Sequence, residues 1–143
     1  MKRFLSALML CLLTVTAALA QADRLVGNYL IDYEGKQSKV KIYKYENGYR
    51  AQNYWVREAT NDDGSIKKDV KNPDAKKRNI PVSEIVLIDK VVYDDGEWSG
   101  GYIYDPTSGK SYRVEMKFND AKTLELKGKL GPFFKRIYWK KID

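Results

Sequence analysis

Residues 110–118 alternate without a break: Tyr112, Val114, Met116 and Phe118 fall on one side, Arg113, Glu115 and Lys117 on the other. A period of two is that of a strand with one face in a core and one in water, and no helix displays it. Leu124, Leu126 and Leu130 repeat the pattern against Glu125, Lys127 and Lys129. Similar segments recur at short intervals, separated by residues that reverse the chain. Asn47-Gly48 predicts a tight type I′ hairpin, in a register that sets Val40 opposite Trp55 and Ile42 opposite Asn53. Asp95-Gly96 predicts another, and Glu34-Gly35-Lys36 a turn after the first strand. In Asp105-Pro106-Thr107-Ser108-Gly109, Pro fixes φ and Gly takes the left-handed position.

Eight strands are predicted, near residues 25–33, 38–46, 49–57, 83–94, 97–104, 110–118, 122–130 and 133–142. Short connections make neighbours antiparallel, and pairing the last strand with the first removes both open edges. The expected fold is all-β, an eight-stranded antiparallel up-and-down barrel. One connection departs from the rule: residues 57–81, between strands three and four, are long, polar and rich in lysine. A loop of that length is either a functional lid or a disordered insertion. In strand four, Ile85, Leu87 and Val91 alternate with Val86, Ile88 and Val92, so its outer side needs a cover, from this loop or from a second subunit.

The first twenty residues, MKRFLSALMLCLLTVTAALA, have the form of a secretory signal peptide. Lys2 and Arg3 supply the positive start, Phe4 to Val15 the apolar run, and Ala18-Leu19-Ala20 the small-x-small cleavage site. The expected organisation is a signal peptide over 1–20 and one barrel domain over 21–143, secreted or periplasmic, with no transmembrane anchor in the mature form. Cys11, the one cysteine, sits behind Leu10 in mid-run, where it offers no lipid-attachment site. The mature chain therefore has neither a disulfide nor a thiolate. The formal charge of +7 includes Lys2 and Arg3, leaving +5 on residues 21–143 with the signs interspersed. Signs so interspersed read first as a solvated outer face, with contact to anionic headgroups or an acidic envelope polymer as the alternative; nucleic acid is not expected. The chain has no histidine, which removes the usual general base near neutral pH and the commonest zinc ligand. No catalytic residue, metal or cofactor is expected.

The run from Trp98 to Tyr112, WSGGYIYDPTSGKSY, resembles the signature of a secreted bacterial family known as domain of unknown function 2147. Asp69-Val-Lys-Asn72-Pro73-Asp74, Leu126-Lys-Gly128-Lys-Leu-Gly131 and Tyr138-Trp139 extend the resemblance over essentially the whole mature chain. The family is similar to calycin-type barrels, the group that includes lipocalins and streptavidin, which implies that fold and carries no established activity. Calycins often open with Gly-x-Trp on the first strand, covered by a basic residue from the last. Gly27-Asn28-Tyr29 resembles that motif with Tyr in place of Trp, and the resemblance implies a plug of Tyr29 and Arg136 at the closed end.

Several candidate sites remain. Ser108-Gly109-Lys110-Ser111 ends like a phosphate loop, but position 104 holds Tyr104 where a glycine is required, and a strand follows where a helix is needed. Asp69, Asp74 and Asp105 are either acids converging at the barrel mouth or ordinary turn residues accepting from their own backbone. Eleven Tyr and three Trp are enough to line a cavity or to fill a core. Gly100-Gly101 leaves a gap on strand five open to large neighbours, to bending or to a ligand. The leading expectation is a non-enzymatic binder of a small apolar or amphipathic, lipid-like molecule. Trp55, Trp98, Tyr102, Tyr112 and Met116 are its candidate contacts, and Lys67, Lys68, Lys76, Lys77 and Arg78 the candidate partners of an anionic head. Two alternatives stand beside it. One is an envelope interaction module with a packed barrel, forming a homodimer or meeting an envelope protein through strand four at Ile88 and Val92. The other is an envelope carbohydrate hydrolase using Asp74 and Asp105.

Overall fold

The computed structural model describes the backbone of residues 2–143 and side chains from residue 9 onward. Eight strands run antiparallel in chain order and close into a barrel: β1 (Gly27–Tyr33), β2 (Lys36–Tyr45), β3 (Gly48–Val56), β4 (Val86–Asp94), β5 (Glu97–Asp105), β6 (Lys110–Phe118), β7 (Thr123–Leu130) and β8 (Phe133–Lys141). A helix, α1 (Lys2–Ala22), precedes them, and its residues 9–20 are exposed throughout. No helix among the described residues is long and apolar enough to cross a membrane.

Two of the hairpins turn where their dipeptides predict. Tyr33 pairs with Lys36 and Asp94 with Glu97, enclosing Glu34-Gly35 (φ +52° and +78°) and Asp95-Gly96 (φ +47° and +86°). Positive φ at both centres matches the right-handed twist of the flanking strands. The β2–β3 hairpin is a correction. Tyr45 pairs with Gly48, so the central residues are Glu46 and Asn47, one position earlier than expected, with Glu46 at φ +51°. Gly48 serves a different need, since a Cβ there would lie 2.3 Å from the carbonyl oxygen of Val91 on β4. The register shifts with the turn: Val40 faces Asn53 and Ile42 faces Ala51. A bulge then inserts Tyr54, so Trp55 pairs with Lys39 and emerges on the outer face.

The adjacent glycines of β5 also mark a bulge. Trp98 pairs with Met116 and Gly101 with Val114, which leaves one extra residue on β5, and Gly100 takes φ +86°. A Cβ on Gly101 would lie 2.0 Å from the Lys90 carbonyl oxygen. Of the three ways of filling the glycine gap, bending of the strand is the one realised.

Packing divides the barrel in two. At the end where β1 begins, a 3₁₀ turn (Asp23–Leu25) closes the floor, and Leu25, Tyr29, Ile42, Val91, Trp98, Met116, Leu124 and Trp139 are buried to 2 % exposure or less. Trp98 donates from Nε1 to the Ala22 carbonyl at 3.1 Å, and Tyr29 donates from its hydroxyl to the Leu25 carbonyl at 2.7 Å. Asp23 accepts from the Tyr49 hydroxyl at 2.6 Å and pairs with Lys44 at 2.9 Å. Residues just past the predicted cleavage site are thus built into the barrel. Toward the opposite end, Ile31, Ile103, Tyr112 and Ile137 share the inward register but are only half-buried.

The long loop folds onto this open end. It is held by backbone pairs between Asp69 and Ile80 and between Val82 and Lys67, and by Asn53, whose side-chain amide donates to the Val82 carbonyl. Ile88 pairs with Ile103 in the barrel interior and is fully buried, so it lies on no docking surface. One residue before Ile88, Leu87 is buried at 8 %; Tyr104, one residue after Ile103, bonds to Asp69 of the loop. The loop therefore supplies the cover that strand four needs at this end.

Candidate functional site

The barrel wall is weakest where the last strand meets the first. β1 joins β2 through seven residue pairs and β7 joins β8 through eight, yet β1 and β8 share two, Tyr29–Lys141 and Leu30–Lys140. Continued, the ladder would set Ile31 against Trp139, Asp32 against Tyr138 and Tyr33 against Ile137. Instead the strands part, and a cleft of about 210 Å³ opens between Ile31, Asp32 and Tyr33 on one side and Arg136, Ile137 and Tyr138 on the other. Its lining is mixed. Ile31 and Ile137 abut the core, while Asp32, Arg136 and the tyrosine hydroxyls offer charge and hydrogen bonds.

One side-chain contact bridges the gap. Lys135 donates from Nζ to the Tyr33 hydroxyl and lies 4.2 Å from the centre of its ring. Lys135 pairs with Gly128 in the register of Ile137 and Trp139, so its ammonium stands at the mouth. Arg136, on the outer face, is 3.0 Å from Glu125 and 4.8 Å from the Phe134 ring. The cleft thus has an apolar floor and a charged rim on which Lys135 and Arg136 stand with Asp32. A second cavity, at the closed end beside Gln21, Arg24, Tyr93 and Trp98, measures about 70 Å³, room for about two waters.

The candidate ligand contacts do not converge. Trp98 and Met116 belong to the packed half, at 2 % and 1 % exposure. Trp55 lies outside under Lys39, whose ammonium is 5.1 Å from its ring, and Tyr102 is 55 % exposed on the outer face. Tyr112 alone of the five faces the half-buried mouth, opposite Ile103. Among the loop cations, Arg78 folds back onto the Asn72 carbonyl at 2.7 Å and Lys67 stands 3.9 Å from Glu58. The Lys68 backbone bridges to Pro81, and Lys76 and Lys77 are exposed on a 3₁₀ turn.

The three aspartates are engaged locally. Asp74 accepts from the Lys76 amide at the start of that turn, and Asp105 accepts from the Thr107 amide and the Ser108 hydroxyl. Asp69, 2 % exposed, accepts from the Tyr104 hydroxyl at 2.6 Å and the Asn72 amide at 2.8 Å. Burial, and then that bond to Asp69, push the Tyr104 hydroxyl well above the usual tyrosine range. Asp69 and Asp74 thus hold the long loop and Asp105 its own turn, each accepting from backbone or side-chain donors.

Tyr29 and Arg136 lie at different places. Tyr29 packs 6.4 Å from Trp139 at the floor, where Lys141 donates to the Arg24 carbonyl at 2.7 Å and Arg24 stacks 4.7 Å above Phe118. The basic residue that the last strand brings to the floor is therefore Lys141, set by its pairing with Tyr29. Burial lowers its ammonium pKa below the ordinary value. Composition alone missed Ile31, Tyr33, Lys135 and Ile137. A lysine at an inward position of the last strand was the available signal, since it marks a place that water reaches.

An eight-stranded closed barrel with a packed floor, a 3₁₀ plug and a wetter mouth defines a lipocalin-like protein. Residues 27–141 match the family described as uncharacterized protein conserved in bacteria (DUF2147), and the chain belongs to that family. Among solved structures it is similar to protein HP1028 from the human pathogen Helicobacter pylori, which belongs to the lipocalin family. The two share 27 % identity over 83 % of each chain with a TM-score of 0.66. No match was found among curated proteins.

Proposed function

We propose that this protein is an exported binder of one small amphipathic molecule with an anionic end, seated where β1 and β8 part. The observation that carries the reading is the early end of the β1–β8 ladder, which leaves the 210 Å³ cleft between Ile31–Tyr33 and Arg136–Tyr138. An eight-stranded barrel is at the size where the interior is either filled or holds one small ligand, and the half-buried mouth favours the second. The volume exceeds the ~150 Å³ of a cavity that holds benzene and falls short of a typical drug-sized pocket of ~300 Å³ or more. It fits one ring or a short acyl segment against Ile31 and Ile137, with a carboxylate or phosphate at Lys135 and Arg136. Export is supported by the signal-like helix, exposed over residues 9–20, and by the docking of Ala22 and Leu25 in the barrel floor. Cleavage after Ala20 removes the first and spares the second.

The test is native mass spectrometry of protein purified from its own host, followed by organic extraction and titration with a fluorescent fatty acid. A stoichiometric amphipathic molecule, or saturable probe binding that Ile137→Glu abolishes while the barrel stays folded, is the expected result. A bare protein that takes up no probe, or a variant that binds as well as wild type, refutes the reading.

A further inference from the structure

The hairpin joining β7 to β8 differs from the other tight turns of the same barrel. Those turns place Glu34-Gly35, Glu46-Asn47 and Asp95-Gly96 in water. This one places Gly131-Pro132 between Leu130 and Phe133, with Gly131 at φ +58° and Phe134 following. Leu130 is 57 % exposed, Phe133 77 % and Phe134 53 %. Their alternation would suit a wall or interior position, but Leu130 and Phe133 form the last pair of the ladder and stand at the rim with no further strand to cover them. Three large apolar side chains together at a hairpin tip are costly in water unless another phase takes them up.

The charges around the tip point to which phase. Between Glu125 and Trp139 the sequence has four basic residues, Lys127, Lys129, Lys135 and Arg136, and no acidic one; Lys129 pairs with Glu115 at 2.5 Å and Arg136 with Glu125 at 3.0 Å. Lys127 lies 4.2 Å and Arg136 4.8 Å from the Phe134 ring, and Lys129 and Lys135 flank the turn on either strand. Apolar groups at the apex with cations immediately behind, whose long side chains can reach back to the headgroup level, match the depth profile of an anionic bilayer, where acyl chains lie below the phosphates. At about 3.4 Å per residue, the two positions on either side of the turn reach about 7 Å, the depth at which interfacial segments insert. Tyr33 and Tyr138, 39 % and 51 % exposed beside the cleft, suit the headgroup level above.

We propose that the β7–β8 tip docks this protein on an anionic lipid bilayer, with Leu130, Phe133 and Phe134 entering the acyl boundary and Lys127, Lys129, Lys135 and Arg136 meeting headgroup phosphates. Docking there turns the β1–β8 cleft toward the membrane, so a lipid-like ligand can pass between bilayer and barrel. The docking surface stands without that ligand.

Co-sedimentation with vesicles tests it, using protein purified from its host with the N-terminus determined by mass, so that wild type and variants begin at the same residue. Wild type is expected to bind phosphatidylcholine–phosphatidylglycerol vesicles, to bind phosphatidylcholine alone much more weakly, and to release in high salt. Leu130→Ser with Phe133→Ser should weaken binding at least about tenfold, and Lys127→Glu should weaken it for the anionic vesicles only. Leu130 and Phe133 are exposed at the turn and Lys127 is half-buried on the outer face, and an unchanged far-ultraviolet circular dichroism spectrum and thermal melt of the unbound variants check that the barrel is intact. Equal vesicle binding by the serine variant overturns the proposal, as does absence of wild-type binding. A dimer that the serine substitutions dissociate, with no vesicle binding, overturns it in favour of a second copy of the chain. Vesicle binding without probe uptake would keep this proposal and sink the ligand reading.

Discussion

Tyr104→Phe removes one oxygen and tests how the long loop is held. In the native chain the Tyr104 hydroxyl donates to Asp69 at 2.6 Å, and Asp69 is 2 % exposed with one other side-chain donor, Asn72. A hydrogen bond to a charged acceptor contributes about 1.5–3 kcal/mol, and here its loss leaves a buried carboxylate short of a partner. The loop need not unfold the barrel to relieve this, because it can lift away and let water reach Asp69. The effect should therefore appear first as local opening. Amide exchange reads it at the Asp69 and Val82 N–H groups, which donate to Ile80 and Lys67 at 2.9 and 3.0 Å. Their protection should fall about ten- to hundredfold, with a smaller change at β6 and β7. Tyr102→Phe is the matched control, since Tyr102 is 55 % exposed on the same strand, and it should change neither. Loop protection within twofold of wild type in Tyr104→Phe would refute the argument that Asp69 and Tyr104 pin this loop.

Three further perturbations separate effects that sequence alone would treat alike. Trp98→Phe and Trp139→Phe make the same chemical change, but Trp98 donates to Ala22 while buried Trp139 Nε1 has no partner among the described residues; Trp98→Phe should cost about 1–2 kcal/mol more in urea unfolding, and equal costs would sink that assignment. Gly101→Ala puts a methyl 2.0 Å from the Lys90 carbonyl oxygen and should cost about 1–3 kcal/mol, whereas the nearest neighbour of a Cβ at Gly128 is 3.7 Å away, so Gly128→Ala should stay within about 0.5 kcal/mol; the reverse order would refute the close-approach reading. The Tyr49 hydroxyl and then Lys44 hold the Asp23 carboxyl below its ordinary 3.8, so its contribution is full above that pH and is lost as pH falls through the depressed value. The thermal advantage of wild type over Asp23→Asn should accordingly shrink on acidification, and an advantage that grew would contradict the sign.

The strands and most turns were legible because their signals are local. Alternation at Tyr112–Phe118 needs no tertiary partner to be read, and β6 spans the residues expected for it. Bulges were legible only as one option among three at Gly100-Gly101 and not at all at Tyr54, because close approach between neighbouring strands decides them. Asn47-Gly48 looks like a turn in isolation, yet Gly48 is required by the Val91 carbonyl across the β3–β4 ladder, and the turn sits one residue earlier. That displacement, with the bulge at Tyr54, carried Trp55 from the expected interior to the surface. Closure is the least local feature of all. The basic residues of the last strand include Lys135, Arg136, Lys140 and Lys141, and only the pairing of Tyr29 with Lys141 selects which one reaches the floor and where the wall parts.

The uneven packing of the barrel bears on how it can carry a ligand. A chain of this size has a small stability margin, so a cavity cut from its core would remove several kcal/mol that it does not have in excess. Here the fully buried aromatic and branched residues gather at the floor, where the 3₁₀ plug and Trp98 tie Ala22 and Leu25 to the barrel. The mouth therefore contributes little that a cleft would take away. Parting β1 from β8 there gives up ladder hydrogen bonds to water, which solvates the freed groups, and bridges the opening with the Tyr33–Lys135 contact instead. A ligand that replaces that water adds RT ln(1 + [L]/Kd) to a fold that already stands without it. On the proposed binding, the barrel should thus remain folded without ligand, and its melting temperature should rise with the concentration of a fatty-acid probe by an amount set by the mouth alone.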